Sequence, residues 1–540
     1  MAIELIEIRE LDGPNYFAPF PVIKLEICVD AHEHLSADAL SVAATRVGHP
    51  ISDDPASALV TIIPALHIEI GEPPPTVQTI ALDESDHVAI VFDWKWRETG
   101  LRIARTAYDL ISGSPDVPTA DVLAHTLAVD QRDNDVPLWV RDDRRRIPTV
   151  GITATNGKTT TTRLIAHIVR LAGKHVGWSS STGVYIDGEQ VIEGDYTGPA
   201  GARRVLDDPN VDIAVLETAR GGILLRGLAY ESNDVGVFLN VSPDHLDMQG
   251  VKTVETLAEV KGIVVRVTRP DGLVVLNADD PLVMKQRDRV RANLLLFSQL
   301  PDSPIIAAHE QGGGKSLVRF ADEIQYFDGT MRQTITMVED LPMAFGGRAR
   351  HMVENALAGA GAAIGLGLDL EVIRDGLRTF RSDTRTNVGR LNVFRLEGRI
   401  VIVDYAHNES GLDELITFSR ALQAGHGRVA AIVGTAGDRG DDVLRGLGRI
   451  AAERADMVFV KENPKYLRGR ASGEQVANMR TGVESVGGTS KLVGSYEGER
   501  EALIAALAAT EPGDAIAIMC VEEQLGIFRE LRDRGAEEWS

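Results

Sequence analysis

The chain has 540 residues, a net charge of −23, 44% hydrophobic residues and 25% charged ones, the composition of a globular protein too long for one core and expected to hold about three or four domains. The acidic balance argues against a partner that tracks nucleic-acid phosphates, and Cys28 and Cys520 are too widely separated to suggest a disulfide framework or a zinc site. With no charged-then-apolar leader and no apolar run near the roughly 20 residues that span a bilayer, the sequence reads as a soluble cytoplasmic protein without a membrane partner.

Residues 1–146 mix strands and helices, an α+β pattern. Lys24–Val29, Ala58–Ile63 and His87–Phe92 read as strands, and Glu98–Ser112 carries apolar residues at helical spacing. The Arg-rich connector Arg141–Arg146, ending at Pro148, marks a boundary.

The next stretch is the most telling. Ile147–Ile152 reads as a strand, Asn156-Gly157 as a tight turn, and Arg163–Arg170 as a helix. Between them runs GITATNGKTTTT, Gly151–Thr162. A phosphate loop needs small residues so that backbone N–H groups converge on phosphate oxygens, with the positive end of the following helix aimed at them. Lys158 would reach the outer phosphates and the Thr159 hydroxyl would hold Mg²⁺, with Thr155, Asn156, Gly157 and Thr160 completing the cradle. The match is to the narrower form T-G-T-N-G-K-T-T, with Ala154 in place of its first glycine; alanine resists positive φ.

From 147 to 385, buried parallel strands (Val211–Leu216, Asp234–Leu239, Gly272–Leu276) alternate with helical patterns, among them Thr253–Val267 and Glu354–Leu368. Residues 386–540 repeat the alternation with strands at Arg399–Val403, Val429–Val433, Met457–Val460 and Ala515–Met519. The expected fold is therefore α/β and multi-domain: a central P-loop doubly wound sheet (147–385), a smaller Rossmann-like C-terminal domain (386–540) and the α+β N-terminal domain (1–146).

Ligands of such sheets sit at the carboxyl ends of strands. Four polar clusters fall there: Glu217–Gly222, Asn240–Asp247, Asp404–Asn408 and Gly434–Gly440. Hard oxygen ligands suit a nucleotide-bound Mg²⁺ and an imidazole is tolerated, so Thr159, Glu217 and His245 form a candidate metal shell. Lys261, on the Thr253–Val267 helix, would add a positive or modified side chain to the same pocket.

With these residues in view, the chain resembles the ATP-dependent Mur ligase superfamily, most closely the ligase half of cyanophycin synthetase. The resemblance rests on Thr153–Thr160, Thr182–Gly188, Gly194–Pro199, Val215–Ile223, Asp244-His245, Asn277–Pro281, Glu354–Ala358 and Gly389-Arg390. It continues through Asp404–Asn408, Gly437–Arg439, Lys461-Glu462 and Arg468–Arg470. It covers about residues 147–540, and Leu11–Tyr16 is similar to the opening of that family's N-terminal domain. The family's ATP-grasp domain, which adds the backbone aspartate, has no counterpart here. The resemblance thus implies only the Mur-type half-reaction, joining an amino group, arginine in that family, to a carboxylate such as an aspartate side chain.

The resemblance further implies ATP and Mg²⁺ as cofactors and a carbamylated Lys261 holding a second Mg²⁺. It places Asn277 on the adenine side, Arg390 at the phosphates and Asp404 at the ribose or phosphate edge. ATP would then bind between the central and C-terminal domains, with hinges at Arg381–Val388 and Asp404–Asn408. Glu462–Lys465 is similar to the acceptor-recognising turn of Mur ligases that add diamino acids. Lys465, Arg468 or Arg470 would bind the amino acid's carboxylate, Glu462 or Asp438 a cationic side chain, and Thr197 the carboxylate substrate; His407 joins this substrate set. Partners are thus a small amino acid and a carboxylate or peptide, with a homo-oligomer left open. Two alternatives stand: another Mur-type ligase with a glutamate or folate-type substrate, and a non-catalytic ATP-binding subunit.

Overall fold

The computed structural model describes residues 3–30, 34–125, 136–244, 246, 249–423 and 427–539. They divide into two compact units. The first comprises Met1–Ala154, Lys174–Leu276 and Asp280–Leu294; the second comprises Thr155–Gly173, Asn277–Asp279 and Leu295–Ser540.

The first unit opens with a four-stranded antiparallel sheet in the order β1-β2-β4-β3, formed by β1 (Glu4–Leu11), β2 (Val22–Cys28), β3 (Val77–Ala81) and β4 (His87–Asp93). One face buries Ile23, Leu25, Ile27, Ile90 and Phe92 against helices that contribute Leu59, Ile62, Ile103 and Leu110. Ala58–Ile63, read from its β-branched run as a strand, lies in the helix Pro55–Glu69. Asp54 caps that helix by accepting from the Ser57 N–H at 2.8 Å, and proline occupies its first position. Ala58, Leu59, Ile62, Ile63 and Leu66 all face the core. The capped start and helical burial outweigh local β preference.

The same unit holds a second sheet. β5 (Thr149–Thr153) pairs in parallel with β9 (Ile213–Glu217) on one side and β10 (Asn233–Phe238) on the other. β6 (Val176–Ser180) extends the sheet beyond β9, β11 (Thr268–Asn277) pairs with β10, and a hairpin of β7 (Gly183–Ile186) and β8 (Glu189–Glu193) continues from β6. Because β5 lies between strands that come later in the chain, its carboxyl end is a point where strand order reverses, the place such sheets keep for ligands.

The Leu11–Tyr16 stretch latches the N-terminal region onto this sheet's connections. The Asp12 N–H donates to the Arg226 carbonyl and the Leu228 N–H to the Pro14 carbonyl, both at 2.7 Å. Asn15, buried, donates to the Gly13 and Phe20 carbonyls and accepts from the Phe17 and Ala18 N–H groups. The motif builds a turn that fits one surface.

In the second unit, β12 (Asn293–Ser298) pairs in parallel with β13 (Lys315–Phe320), followed by antiparallel β14 (Glu323–Phe327) and β15 (Arg332–Met337). The C-terminal sheet has the order β20-β19-β18-β21-β17-β16-β22. β17 (Arg399–Asp404), β18 (Val429–Val433), β19 (Met457–Lys461), β20 (Leu492–Tyr496) and β21 (Ala515–Met519) run parallel, while β16 (Asn392–Leu396) and β22 (Glu537–Glu538) form its antiparallel edge. Val401, Val403, Ile432, Phe459, Ile516 and Ile518 bury one face against the helices Glu499–Ala509 and Gln524–Asp533. Among the described residues no helix is long and apolar enough to cross a membrane.

The latch supplies a stability test. A Cβ on Gly13 would lie 2.0 Å from the Leu228 carbonyl oxygen, a backbone atom that cannot swing aside. Gly13→Ala should therefore cost about 1–3 kcal/mol, the usual cost of overpacking a site that cannot yield. A thermal melt of the full chain reads this as a lower first transition; an unchanged melt would mean the latch is not formed.

Candidate active site

The loop after β5 turns on one left-handed residue before the next helix begins. Gly157 has φ of +91° and caps the helix Lys158–Leu171. Ala154 is not among the positive-φ residues, so its Cβ imposes no backbone strain, and it is fully buried. The conformational demand falls on Gly157 instead, where glycine meets it at no steric cost. The Lys158 ammonium donates to the Thr155 carbonyl at 2.9 Å, which folds the side chain back over its own loop.

Residues from far along the chain converge on this loop within the second unit. The side-chain amides of Asn156 and Asn408 exchange hydrogen bonds at 3.3 and 3.1 Å. Arg390 donates to the Thr159 hydroxyl at 3.4 Å, and its guanidinium lies 4.2 Å from the Tyr405 ring centroid. Asn387 donates to Thr160 at 3.3 Å, and Arg163 donates to the Asn387 side-chain oxygen and the Val388 carbonyl at 3.1 and 3.0 Å. Arg163 and Asn387 escaped the sequence reading. The available signal was a charged residue three and four positions beyond Thr160 and Thr159, on the same helix face. The expected hinge Arg381–Val388 is tied down by these bonds and by Thr384, whose N–H and hydroxyl both donate to Glu538.

Asp404, expected at the nucleotide's ribose or phosphate edge, ends β17 and accepts from the Leu391 N–H at 2.7 Å. Leu391 holds a left-handed φ of +54°, so this carboxylate pins the backbone immediately after Arg390. Asn277 accepts from the Asp279 N–H at 3.0 Å, shaping the turn that carries it. His407 contacts the Tyr405 carbonyl through Nδ1 at 3.0 Å, and its own carbonyl accepts from the Thr435 hydroxyl at 2.9 Å.

In the first unit, Glu217 is buried at the carboxyl end of β9, opposite Ile152 of β5, and accepts from the Ser181 N–H at 3.4 Å. Lys261, buried on the helix Val254–Arg266, donates to the Ala154 carbonyl at 2.7 Å. The end of β5 is thus faced by a buried carboxylate and a buried ammonium. Thr197 holds Asp195 through its N–H and hydroxyl, at 3.1 and 2.7 Å, and its carbonyl accepts from the Ala219 N–H at 3.0 Å. His245 lies outside the described residues. Among the described residues no group of three or more His, Cys, Asp or Glu side chains is arranged to hold a metal unaided. The hydroxyl of Thr159 and the carboxylate of Glu217 are nonetheless hard donors of the type Mg²⁺ takes.

The acceptor candidates separate. Glu462, expected to meet a cationic substrate, instead accepts from the Ser472 hydroxyl at 2.9 Å and the Gly473 N–H at 2.6 Å, at the start of the helix Glu474–Ser485. Arg470, expected at a substrate carboxylate, is consumed by bonds inside the protein, among them the Gly437 carbonyl at 2.7 Å. Lys465 is largely exposed, and its N–H donates to Glu522 at 3.2 Å. Arg468 is exposed, with its guanidinium 5.5 Å from the Tyr466 ring centroid. Asp438 has a buried carboxylate oxygen without a hydrogen-bond partner among the described residues.

Behind this turn lies a fully buried ion pair. Lys461 donates to Glu499 at 2.8 Å and also to Asn463. Glu499 accepts in addition from the Cys520 thiol and from the N–H groups of Val521, Glu522 and Glu523. Burial alone would push the Glu499 carboxyl up, but Lys461, Cys520 and the Glu523 N–H together hold it below the usual carboxylate range. Burial, followed by the Glu499 charge, drives the Cys520 thiol well above its ordinary value. The pair ties together the loops that follow β19, β20 and β21.

With this geometry established, the comparisons fall into place. A family model described as the Mur ligase middle domain matches residues 152–363, and one described as Mur ligase, glutamate ligase domain, matches residues 389–520. Over these stretches, together well over half of its length, the chain belongs to the Mur ligase family. It is 45% identical over 329 residues to cyanophycin synthetase from Synechocystis sp., an alignment covering 61% of this chain and 37% of that protein. It is 30% identical over 342 residues to the UDP-N-acetylmuramoyl-L-alanyl-D-glutamate–2,6-diaminopimelate ligase of Parabacteroides distasonis, covering 61% of this chain and 65% of that one. The chain therefore spans less than two fifths of the cyanophycin synthetase it matches. Among solved structures, MurF from Acinetobacter baumannii aligns with a TM-score of 0.52 at 18% identity, covering 77% of this chain and 81% of that one. A bifunctional folylpolyglutamate synthase/dihydrofolate synthase with Mn, AMPPNP and L-glutamate bound aligns with a TM-score of 0.51 at 20% identity, covering 71% and 89%. The shared fold is α/β with large mixed sheets.

The Lys461–Glu499 pair yields a stability test. Removing one partner of a buried pair strands the other, at about 3–5 kcal/mol, so Glu499→Gln should lower unfolding stability by that order at pH 7. Because the folded pKa of Glu499 is depressed, its contribution is present above the unfolded value of about 4.3 and fades as pH falls through the folded one. Urea titrations should show the gap between wild type and variant narrowing below about pH 4; equal stability at pH 7 would contradict the pairing.

Proposed function

We propose that this chain is an ATP-dependent ligase that joins the amino group of an amino acid to a carboxylate, releasing ADP and phosphate. A substrate carboxylate oxygen attacks the γ-phosphorus of ATP, the bond to the β-phosphate oxygen breaks and ADP departs, leaving an acyl phosphate. The amine then attacks the acyl carbon, the carbon–oxygen bond to phosphate breaks, and the amine's surplus proton passes to solvent. Phosphoryl transfer of this kind calls for positioning and charge neutralisation more than acid–base chemistry.

Lys158 would meet the outer phosphates and Arg390 the developing charge, while the Thr155–Thr160 backbone would cradle the remaining oxygens. Thr159 and Glu217, with His245, would hold Mg²⁺, which when bound neutralises phosphate charge and polarises the γ-phosphoryl group. Lys261, carbamylated as in the family it resembles, would serve a second ion. Asn277 would face the adenine, and Asp404 would set Arg390 as well as edge the ribose. This reading divides the chain into 1–146, the P-loop ATP-binding domain 147–385 and the Rossmann-like acceptor domain 386–540.

Similarity to cyanophycin synthetase supports arginine as the amine and an aspartate-type side chain as the carboxylate, with Asp438 and Lys465 the acceptor-binding candidates. The observation carrying the proposal is the convergence of Asn408, Arg390 and Asn387 on the loop residues Asn156, Thr159 and Thr160. Such a convergence lets one nucleotide engage the phosphate loop and the C-terminal sheet together.

The test is a phosphate-release screen of the twenty amino acids against aspartate-containing peptides and cyanophycin fragments. Arginine should stimulate release, and Lys158→Ala should lower it by about 10²–10³-fold, as loss of a charge-stabilising group does. Stimulation by glutamate with a folate-type acid would reassign the substrate. No stimulation by any amino acid would favour a non-catalytic nucleotide-binding role.

A further inference from the structure

Arg390 stands between two left-handed residues, Gly389 with φ of +70° and the fully buried Leu391 with φ of +54°. Glycine takes that conformation freely. A leucine takes it only where its surroundings hold it, and such strain collects at sites whose geometry must be fixed in advance. A side chain from a neighbouring stretch holds each of the two. The Leu391 N–H donates to Asp404, and the Gly389 N–H donates to the Asn392 side-chain oxygen at 2.7 Å. The Gly389 carbonyl in turn accepts from the Tyr405 N–H at 2.9 Å.

Asn392, the first residue of β16, is completely buried and uses its amide in both directions. Besides accepting from Gly389, it donates to the Ser382 carbonyl at 3.2 Å and the Asn387 carbonyl at 3.1 Å. Segment 382–390 is therefore wrapped around one side chain. The amide fits in a single orientation, because a swapped amide or a carboxylate would set oxygen against oxygen. Among the described residues, all the hydrogen bonds of this side chain fall on that segment. The same segment faces the helix Lys158–Leu171. Asn387 donates to the Thr160 hydroxyl, and the Arg390 guanidinium, lying against the Tyr405 ring, reaches the Thr159 hydroxyl.

We infer that Asn392 is a positioning residue for Arg390: it wraps segment 382–390 so that the guanidinium is already fixed where negative charge develops during phosphoryl transfer. The inference rests on the ligase reading. It deepens that reading by separating the side chain that meets the phosphates, Arg390, from the two that hold its backbone, Asn392 and Asp404. A cation that must first be ordered stabilises a transition state less than one fixed beforehand. A displacement of about an ångström is enough to cost roughly 10²-fold in rate.

The experiment measures phosphate release by the full chain carrying Asn392→Asp, Asn392→Ser, Arg390→Ala or the double variant Arg390→Ala/Asn392→Asp. The substrates are arginine and an aspartate-containing peptide, or the pair that a screen of the twenty amino acids selects in their place. Thermal melts set a temperature at which each variant is folded. Asn392→Asp is nearly isosteric but loses the amide's donors, and it should lower kcat by about 10- to 10²-fold while the KM for the amino acid stays within about twofold. Arg390→Ala should fall at least as far, and the double variant no further than Arg390→Ala alone, because Asn392 acts through Arg390. Asn392→Ser, uncharged and keeping one donor, should lie between wild type and Asn392→Asp; it decides the question by the same readings if Asn392→Asp fails to fold. Wild-type kcat in a folded Asn392→Asp, a change confined to the KM for the amino acid, or losses that add in the double variant would overturn the inference and leave the ligase reading intact. A wild type that no amino acid stimulates would overturn both.

Discussion

Asn156 and Asn408 stand 252 residues apart in sequence, and their side-chain amides pair donor to acceptor in both directions. Two neutral hydrogen bonds contribute little net stability, about 0.5–1.5 kcal/mol each. Their consequence is geometric. They bring the turn after β5 into register with the segment following β17, and Asn408 also accepts from the Gly411 N–H at the start of the next helix. Charge completes what the amides begin. Arg163 is buried and is tolerated because the Asn387 side-chain oxygen and the Val388 carbonyl accept hydrogen bonds from its guanidinium. Arg390 is braced from behind by the Tyr405 ring and by Asp404 acting on the Leu391 backbone. Cations held in this way need no rearrangement when negative charge arrives, which is the condition for strong electrostatic stabilisation.

The N-terminal region meets the rest of the first unit through backbone as much as through side chains. Asp12 bonds to Arg226 at the end of the helix Arg220–Arg226, Pro14 to Leu228 just beyond it, and Val140 to Ala229 and Glu231. That helix begins only a few residues after Glu217. The first 146 residues thus brace the connection that carries the buried carboxylate, whatever else they bind.

The strand–turn–helix around Gly157 was legible in the sequence because its requirements are local: a strand, one residue able to take positive φ and the start of a helix. Strand-end clusters were legible for a related reason, since sheet topology sends them to one edge. What could not be read was direction. Glu462 had the right chemistry for a ligand group, but nothing in the chain's order says that its carboxylate turns to Ser472 and Gly473. Arg470 likewise turned inward. Arg163 went unnoticed because its partner lies 224 residues away, and periodicity carries no information over that distance. The β-branched run in Ala58–Ile63 favours a strand locally, but the Asp54 cap and Pro55 start a helix there, and the cap decides. The hairpin strands β7, β8, β14 and β15 escape a pattern reading because each is only four to six residues long and offers at most three apolar side chains.

The account stands or falls on where a triphosphate binds. A crystal structure of the full chain with Mg²⁺ and a non-hydrolysable ATP analogue is the direct measurement. The phosphates should sit on the Thr155–Thr160 backbone with the Lys158 ammonium released from the Thr155 carbonyl to meet them, and with Arg390, unmoved against Tyr405, touching the same oxygens. Phosphates lodged elsewhere, or a Lys158 still bonded to its own loop with the nucleotide bound, would contradict it.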